Sequence, residues 1–203
     1  SGKEDWKLAV SEKGFYATYV QLFGFPFAFA IEPLVPTDLV QPELVLPFKP
    51  GESWYLTGGP HEGWGTGSAW AALDFAPPGE EYGCYQSQTP VVAAANGQVV
   101  RAGNGVVVQD LDGDGIEQTG WSLLYLHLTI NEGITAGVYL HQDDLIGLPS
   151  CEGGYTTGTH LHLARRYNGV WIPAAGEVPF TLSGWIASST GNEYDGYLTK
   201  DGQ

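Results

Sequence analysis

In Thr159-His160-Leu161-His162-Leu163 two histidines alternate with two leucines. A period of two belongs to a β-strand, so the leucines face a core on one side and His160 and His162 project together from the other. A half-buried strand can also carry two surface histidines by accident, which leaves metal binding and plain exposure both open at this point. The same alternation occurs in Leu123-Leu124-Tyr125-Leu126-His127-Leu128. Here Leu124, Leu126 and Leu128 are expected inward, with His127 opposite beside Tyr125. A single strand histidine is commonly a surface residue, yet a third imidazole on a similar strand suits a shared site.

Working outward, apolar runs recur at Val91–Ala95, Gln98–Arg101, Gly105–Gln109, Ser122–Leu128, Leu145–Leu148 and His160–Ala164, separated by Gly, Asn, Asp and Pro clusters. That pattern predicts a meander of antiparallel strands. With 29 glycines and 13 prolines among 203 residues, the fold class is mostly β with long loops. The length suits one domain, residues 39–203, preceded by a short N-terminal arm over residues 1–38 that ends in a proline-marked stretch. Leu44–Phe48 and Ser53–Thr57 read as a hairpin around Lys49-Pro50-Gly51-Glu52. Helical periodicity is expected nowhere beyond a turn or two, except around Thr66–Ala72. The uncharged run from Gly14 to Ile31 approaches transmembrane length, but Gln21, Gly24 and Pro26 interrupt it. Phe23, Phe25, Phe27, Phe29 and Ile31 alternate with other residues, so that part reads as an edge strand or extended arm, and no membrane span is expected.

Net charge is −15, and only Arg101, Arg165, Arg166 and Lys200 are basic after residue 50, against seventeen acids. Such a surface repels phosphate backbones, which excludes nucleic acid as a partner and disfavours anionic membranes and teichoic acids. Cys84 and Cys151 are the only cysteines. Outside any CxxC pattern they suggest one disulfide and an oxidising, extracytoplasmic compartment, with two separate buried thiols as the alternative. No signal peptide is visible at Ser1, and Ser1-Gly2 reads as a cloning remnant, so an export signal is expected to have been removed.

Gly58-Gly59-Pro60-His61 puts a fourth imidazole on a glycine-rich loop, and Ala72-Leu73-Asp74-Phe75 follows thirteen residues later. An ionised Asp74 among apolar neighbours needs a cation or metal as partner. The position four after His61 is Gly65, so the helical HExxH of common zinc proteases is absent.

Taken together, His61, Asp74, His127 and the late His160-Leu161-His162, in this order, resemble the lysostaphin and LasA type of zinc endopeptidase. The likeness spans roughly residues 44–185 and includes Pro90–Val99 and Thr157–His162. The long gap from His61 to Asp74 looks more like the LasA branch. The resemblance implies an antiparallel β-sheet core of that peptidase type and a monomer secreted to the bacterial cell envelope. It implies a Zn²⁺ held by His61, Asp74 and His162, with His127 and His160 as the catalytic pair. Three protein ligands leave a fourth place for water, and two histidines with one aspartate leave the site a net charge of about +1. The substrate implied is the peptide of peptidoglycan, glycine-containing cross-bridges included, with Trp64, Trp70, Tyr125 and Tyr155 as walls of a narrow groove. Thr157-Gly158-Thr159 departs from the Ser-Gly-Pro or Thr-Gly-Pro of many relatives, and His141 matches nothing and reads as a surface loop residue.

Asp110-Leu111-Asp112-Gly113-Asp114-Gly115-Ile116-Glu117 has the opening spacing of a calcium loop, although the twelfth position is Trp121 and no flanking helices are expected. Ca²⁺ held by Asp110, Asp112, Asp114 and Glu117 and an ion-free acidic turn are both open. Two rivals to an enzyme remain: a catalytically inactive wall-binding or hydrolase-activating scaffold of the same fold, and a calcium-dependent binding module with incidental histidines.

Overall fold

The structure, a computed structural model, describes residues 13–24, 33–79 and 82–202. The chain divides into two compact units, Ser1–Pro33 and Leu34–Gln203. In the first, Lys13–Phe23 forms helix α1, which corrects the expectation that no helix is sustained and that a strand begins at Phe23. Phe15, Tyr19 and Phe23 recur at four-residue spacing, with ring centroids 6.1 and 5.1 Å apart. Such i,i+4 aromatic pairs stabilise a helix. Gly24, at φ +79°, ends it by donating its N–H to the Val20 carbonyl at 2.9 Å. The remaining alternation, Phe25 to Ile31, lies outside the described residues.

The second unit is built of strands β1 (Tyr55–His61), β2 (Ala72–Ala76), β3 (Val91–Val92), β4 (Gly97–Gly103), β5 (Val106–Asp110), β6 (Trp121–Leu126) and β7 (Leu128–Ile130). It continues with β8 (Tyr139–Leu140), β9 (Leu145–Pro149), β10 (Leu161–Tyr167), β11 (Val170–Trp171), β12 (Thr181–Leu182), β13 (Trp185–Ser189) and β14 (Gly196–Thr199). Mostly β and antiparallel is thus the observed class, but the topology is not a simple meander. The large sheet runs β1-β2-β10-β6-β5-β4-β8, with β11 paired to β10. Two small sheets, β3-β9-β7 and β12-β13-β14, complete the unit. The late strand β10 therefore lies between two early ones.

Other local expectations are corrected. Leu44–Phe48 forms no strand and joins no hairpin. Its Val45 N–H bonds the Ala94 carbonyl at 2.8 Å, its Leu46 N–H bonds Ser183 Oγ at 3.0 Å, and its Pro47 carbonyl accepts from Val92 at 3.0 Å. The segment links distant parts of the chain, and the returning strand β1 pairs with β2 instead. Residues 66–71 form turns and bends without a helix, and β2 starts at Ala72. Ser122–Leu128 is broken into β6 and β7 at His127, whose φ is +67°.

Leu73, Phe75, Leu161, Leu163, Leu123 and Tyr125 contribute to the main core together with Val91, Leu128 and Ile146 from the small sheet and Phe180 and Leu182 beyond β11. The opposite face of the large sheet is covered as well, by a smaller cluster of Ala72, Val106, Val108, Leu124, Leu126 and Ala164. Asp74 and His162 share the strand parity of Ala72 and Ala164, and so belong to this second face.

Arg165 anchors β10 from the core side. It is fully buried, and its guanidinium donates to the carbonyls of Pro173 (2.9 Å), Pro179 (3.3 Å) and Val178 and to Gln41 Oε1. It also lies 4.7 Å from the Phe180 ring centroid and 5.5 Å from that of Trp121. Burial pushes its pKa down to about 9, still charged at neutral pH. Arg165→Ala leaves these carbonyls without a donor and is expected to cost about 3 kcal/mol or more of stability, read by urea denaturation.

Candidate metal centre

The register of the large sheet assembles the site. His162 pairs with Asp74 of β2 on one side and with Leu126 of β6 on the other. The residue after Leu126 is His127. β1 pairs with β2, with irregular register around Gly58 and before His61, and ends at His61. His61 thus terminates a strand, a correction to the glycine-rich loop expected for it. Gly58 and Gly59 permit this close approach. A Cβ at Gly58 would lie 2.7 Å from Asp74 Oδ2, and one at Gly59 would lie 2.5 Å from the Gly196 backbone.

Three atoms form a nearly equilateral triangle. His61 Nε2 is 3.0 Å from His162 Nδ1 and 3.2 Å from Asp74 Oδ1, and His162 Nδ1 is 3.1 Å from the same oxygen. All three residues are buried. Each ring's other nitrogen faces a backbone carbonyl: His61 Nδ1 faces Gly59 O at 2.8 Å, and His162 Nε2 faces Gly63 O at 3.1 Å. A carbonyl oxygen only accepts, so these nitrogens carry the protons, and a neutral ring presents its lone pair to the centre of the triangle. Two lone pairs and a carboxylate oxygen so close together repel unless a cation sits among them. A tetrahedral ion with bonds of about 2.0–2.1 Å separates its ligand atoms by about 3.3 Å, so the triangle fits after a few tenths of an ångström of spreading.

The two remaining imidazoles border this triangle. His160 donates from Nδ1 to Gly158 O at 2.8 Å, and its Nε2 is 3.5 Å from Asp74 Oδ1. His127 donates from Nδ1 to Glu152 O at 2.8 Å, and its ring centroid is 4.7 Å from that of His160. All four rings are therefore held by backbone carbonyls with the other nitrogen left over. His141 is not among them; it is exposed beside Asp144.

Electrostatics within the cluster follow from burial and from Asp74. Burial disfavours an ionised Asp74, but hydrogen bonds from His162 and His61 overcome it and hold its pKa far below the usual carboxylate range. Burial likewise disfavours a charged His61, but Asp74 prevails and raises its pKa. For His127, burial dominates and its pKa falls to about 4, leaving the ring neutral at neutral pH.

Cys84 and Cys151 are disulfide-bonded, with Cα atoms 5.7 Å apart, and the bond joins the loops that position the bordering pair. Glu152, whose carbonyl holds His127, follows Cys151. On the other side Thr159 N–H donates to Gly83 O at 2.9 Å, and Thr159 Oγ1 bonds both the N–H (2.8 Å) and the carbonyl (2.5 Å) of Tyr85. Thr159 thus fastens the approach to His160.

The site opens into a cleft of about 730 Å³ lined by Trp64, Tyr155, Thr156, Gly154 and Tyr194, among others. Trp64 and Tyr155 border it. Trp70 lies outside it, and Tyr125 is fully buried, accepting from Ala94 N–H and donating to Gln109 Oε1, both at 2.9 Å. Those two assignments are corrected: Tyr125 belongs with Leu123 to the main core, and Leu124 and Leu126 lie on the face that carries the site. Tyr194 was not anticipated. Its ring stacks on His61, with centroids 4.2 Å apart and planes at 19°. The paired glycines Gly58-Gly59, which mark a close backbone approach, are the only sequence signal for its docking.

Fold and site define a metal-dependent hydrolase. The profile of Peptidase family M23 matches residues 78–174. The chain is 31% identical over 173 residues to the β-lytic metalloendopeptidase of Lysobacter enzymogenes, covering 79% of this chain and 90% of that one. It is also 31% identical to the β-lytic metalloendopeptidase of Achromobacter lyticus and 28% identical to Protease LasA of Pseudomonas aeruginosa, of which it spans 43% and 41%. The solved M23 metalloprotease pseudoalterin, from the deep sea, shares the fold at a TM-score of 0.64 and 22% identity, covering 82% of this chain and 94% of that one. The chain belongs to peptidase family M23, and its His61, Asp74 and His162 site is intact.

Two outcomes follow. A metal must displace any proton on His61, so apparent affinity for a divalent ion falls as pH is lowered, with the decline beginning above the ordinary histidine value because the His61 pKa is raised; chelator-competition titrations at several pH values measure this. Cys84→Ser/Cys151→Ser is expected to keep its metal but lose about 10–100-fold in kcat, because the bordering pair loosens; metal analysis beside peptide turnover reads both effects.

Proposed function

We propose that this chain is a zinc-dependent endopeptidase that hydrolyses peptide bonds of bacterial cell-wall peptidoglycan, glycyl-glycine cross-bridges among them, outside the cytoplasm. Residues 39–203 are its peptidase domain and 1–38 an N-terminal arm. The observation that carries this reading is the convergence of the His61–Asp74–His162 triangle and two further imidazoles on one open cleft. Retention of all five residues favours an enzyme over an inactive scaffold.

His61 Nε2, Asp74 Oδ1 and His162 Nδ1 would hold the ion. When bound, zinc supplies a Lewis acid that acidifies water and polarises a peptide carbonyl. His160 Nε2 is the nearer of the two bordering acceptors to the triangle, at 3.5 Å from Asp74 Oδ1. We assign it the proton: it takes one from the attacking water and passes it to the leaving amine. His127, neutral and fixed through Glu152, presents Nε2 as a second acceptor that orients the water; it stabilises negative charge only after gaining a proton itself. Trp64 and Tyr155 flank the peptide. With a net charge of −15, wall recognition rests on the cleft rather than on attraction to anionic polymers.

His160→Ala and His127→Ala are expected to retain stoichiometric zinc while turnover of pentaglycine and of purified sacculi falls by about 10²–10⁴-fold. His162→Ala should lose both metal and activity. Metal analysis with peptide-release assays distinguishes these outcomes, and full activity in His162→Ala would overturn the assignment.

A further inference from the structure

The turn joining β5 to β6 holds a second group of oxygen ligands, remote from the histidines. Asp110, Asp112 and Asp114 each present a carboxylate oxygen within 4.8 Å of the others. Backbone and hydroxyl donors satisfy the outer oxygens. Gly115 N–H bonds Asp110 Oδ2 at 2.9 Å, Asp114 N–H bonds Asp112 Oδ1 at 3.3 Å, and Ile116 N–H and Thr119 Oγ1 bond the two oxygens of Asp114 at 2.7 and 2.5 Å.

One oxygen is left over. Asp110 has no exposed surface, and its Oδ1 is buried without a hydrogen-bond partner. A buried, unpaired carboxylate oxygen is costly, and two further carboxylates beside it compound the cost. Nearby cations do not relieve it. Arg101 and Arg166 are both directed to Glu117 Oε2, at 3.3 and 3.5 Å. That pairing also removes Glu117 from the ligand set expected from the sequence. Gly120 leaves space for Asp112, since a Cβ there would lie 2.1 Å from Asp112 Oδ2.

We propose that this turn binds one Ca²⁺ through Asp110 Oδ1 and the carboxylates of Asp112 and Asp114, with water completing the shell. Hard oxygen donors of high negative charge, without nitrogen or sulfur, select Ca²⁺ over zinc. The role is structural. Asp110 pairs with Ser122 at one end of the β5–β6 ladder, and Val106 pairs with Leu126, next to His127, at the other. The ion fixes the turn and thereby strand β6, which ends at Leu126 just before His127, without touching the cleft.

The test uses the full chain, stripped of metals and reloaded with one equivalent of zinc. Calcium titration by calorimetry is expected to show one saturable site and to raise the Tm by several degrees. Asp112→Asn/Asp114→Asn, both exposed positions, should weaken calcium binding at least tenfold and remove most of the Tm rise while zinc content stays unchanged. Asp110→Asn, which neutralises the buried oxygen, should abolish the Tm response. Absence of binding and of a Tm shift in the unaltered chain at millimolar calcium would overturn the site, as would an equal shift in the double variant. Neither result would bear on the histidine centre, which is monitored separately by its zinc.

Discussion

Asp74 and His162 face each other across one antiparallel rung, and this contact exists only because β10 is inserted between β2 and β6. The remaining site residues are placed relative to it: His127 just after β6, His160 just before β10, and His61 at the end of β1. The hydrophobic contribution of Leu161, Leu163, Leu73 and Phe75 on the core face fixes the strand parity that leaves Asp74 and His162 on the other. A slip of one residue would exchange the two sets and bury the ligands in the core.

Backbone carbonyls refine what the sheet places. Gly59, Gly63, Gly158 and Glu152 each occupy one nitrogen of one imidazole. The tautomers are thus set by the main chain, and His61 and His162 turn different nitrogens, Nε2 and Nδ1, to the same point. In the absence of an ion, Asp74 draws a proton toward His61, which is the same demand for positive charge met in another way. The disulfide and Thr159 hold the loops that carry two of those carbonyls, linking a covalent constraint to ring orientation.

The sequence carried the local periods and the chemistry of isolated residues, and lost what depends on long-range pairing. The alternation at His160–Leu163 and the apolar setting of Asp74 were readable because each rests on neighbours in the chain. Insertion of β10 was not, because strand order depends on contacts distant in sequence. Leu126-His127-Leu128 reads as unbroken strand, since a histidine in the left-handed region has no residue-type signature comparable to glycine. Tyr125 was misplaced because alternation assigns two faces without saying which is the main core: Leu124 and Leu126 are apolar too, but it is Leu123 and Tyr125 that enter it. Phe15, Tyr19 and Phe23 fit a helical period while Phe23, Phe25 and Phe27 fit a strand period, and the two patterns share Phe23, which the structure places in α1. Tyr194 carries no motif and lies 133 residues from His61 in the chain, so it reaches that ring only through the fold.

The most direct test of the metal centre is zinc K-edge absorption spectroscopy on the chain loaded with one equivalent of zinc. The geometry predicts a four-coordinate ion with two imidazole nitrogens and two oxygens at about 2.0–2.1 Å, and an unaltered spectrum in His160→Ala. A third or fourth imidazole in the coordination shell, or loss of one in that variant, would contradict the division between ligands and bordering bases.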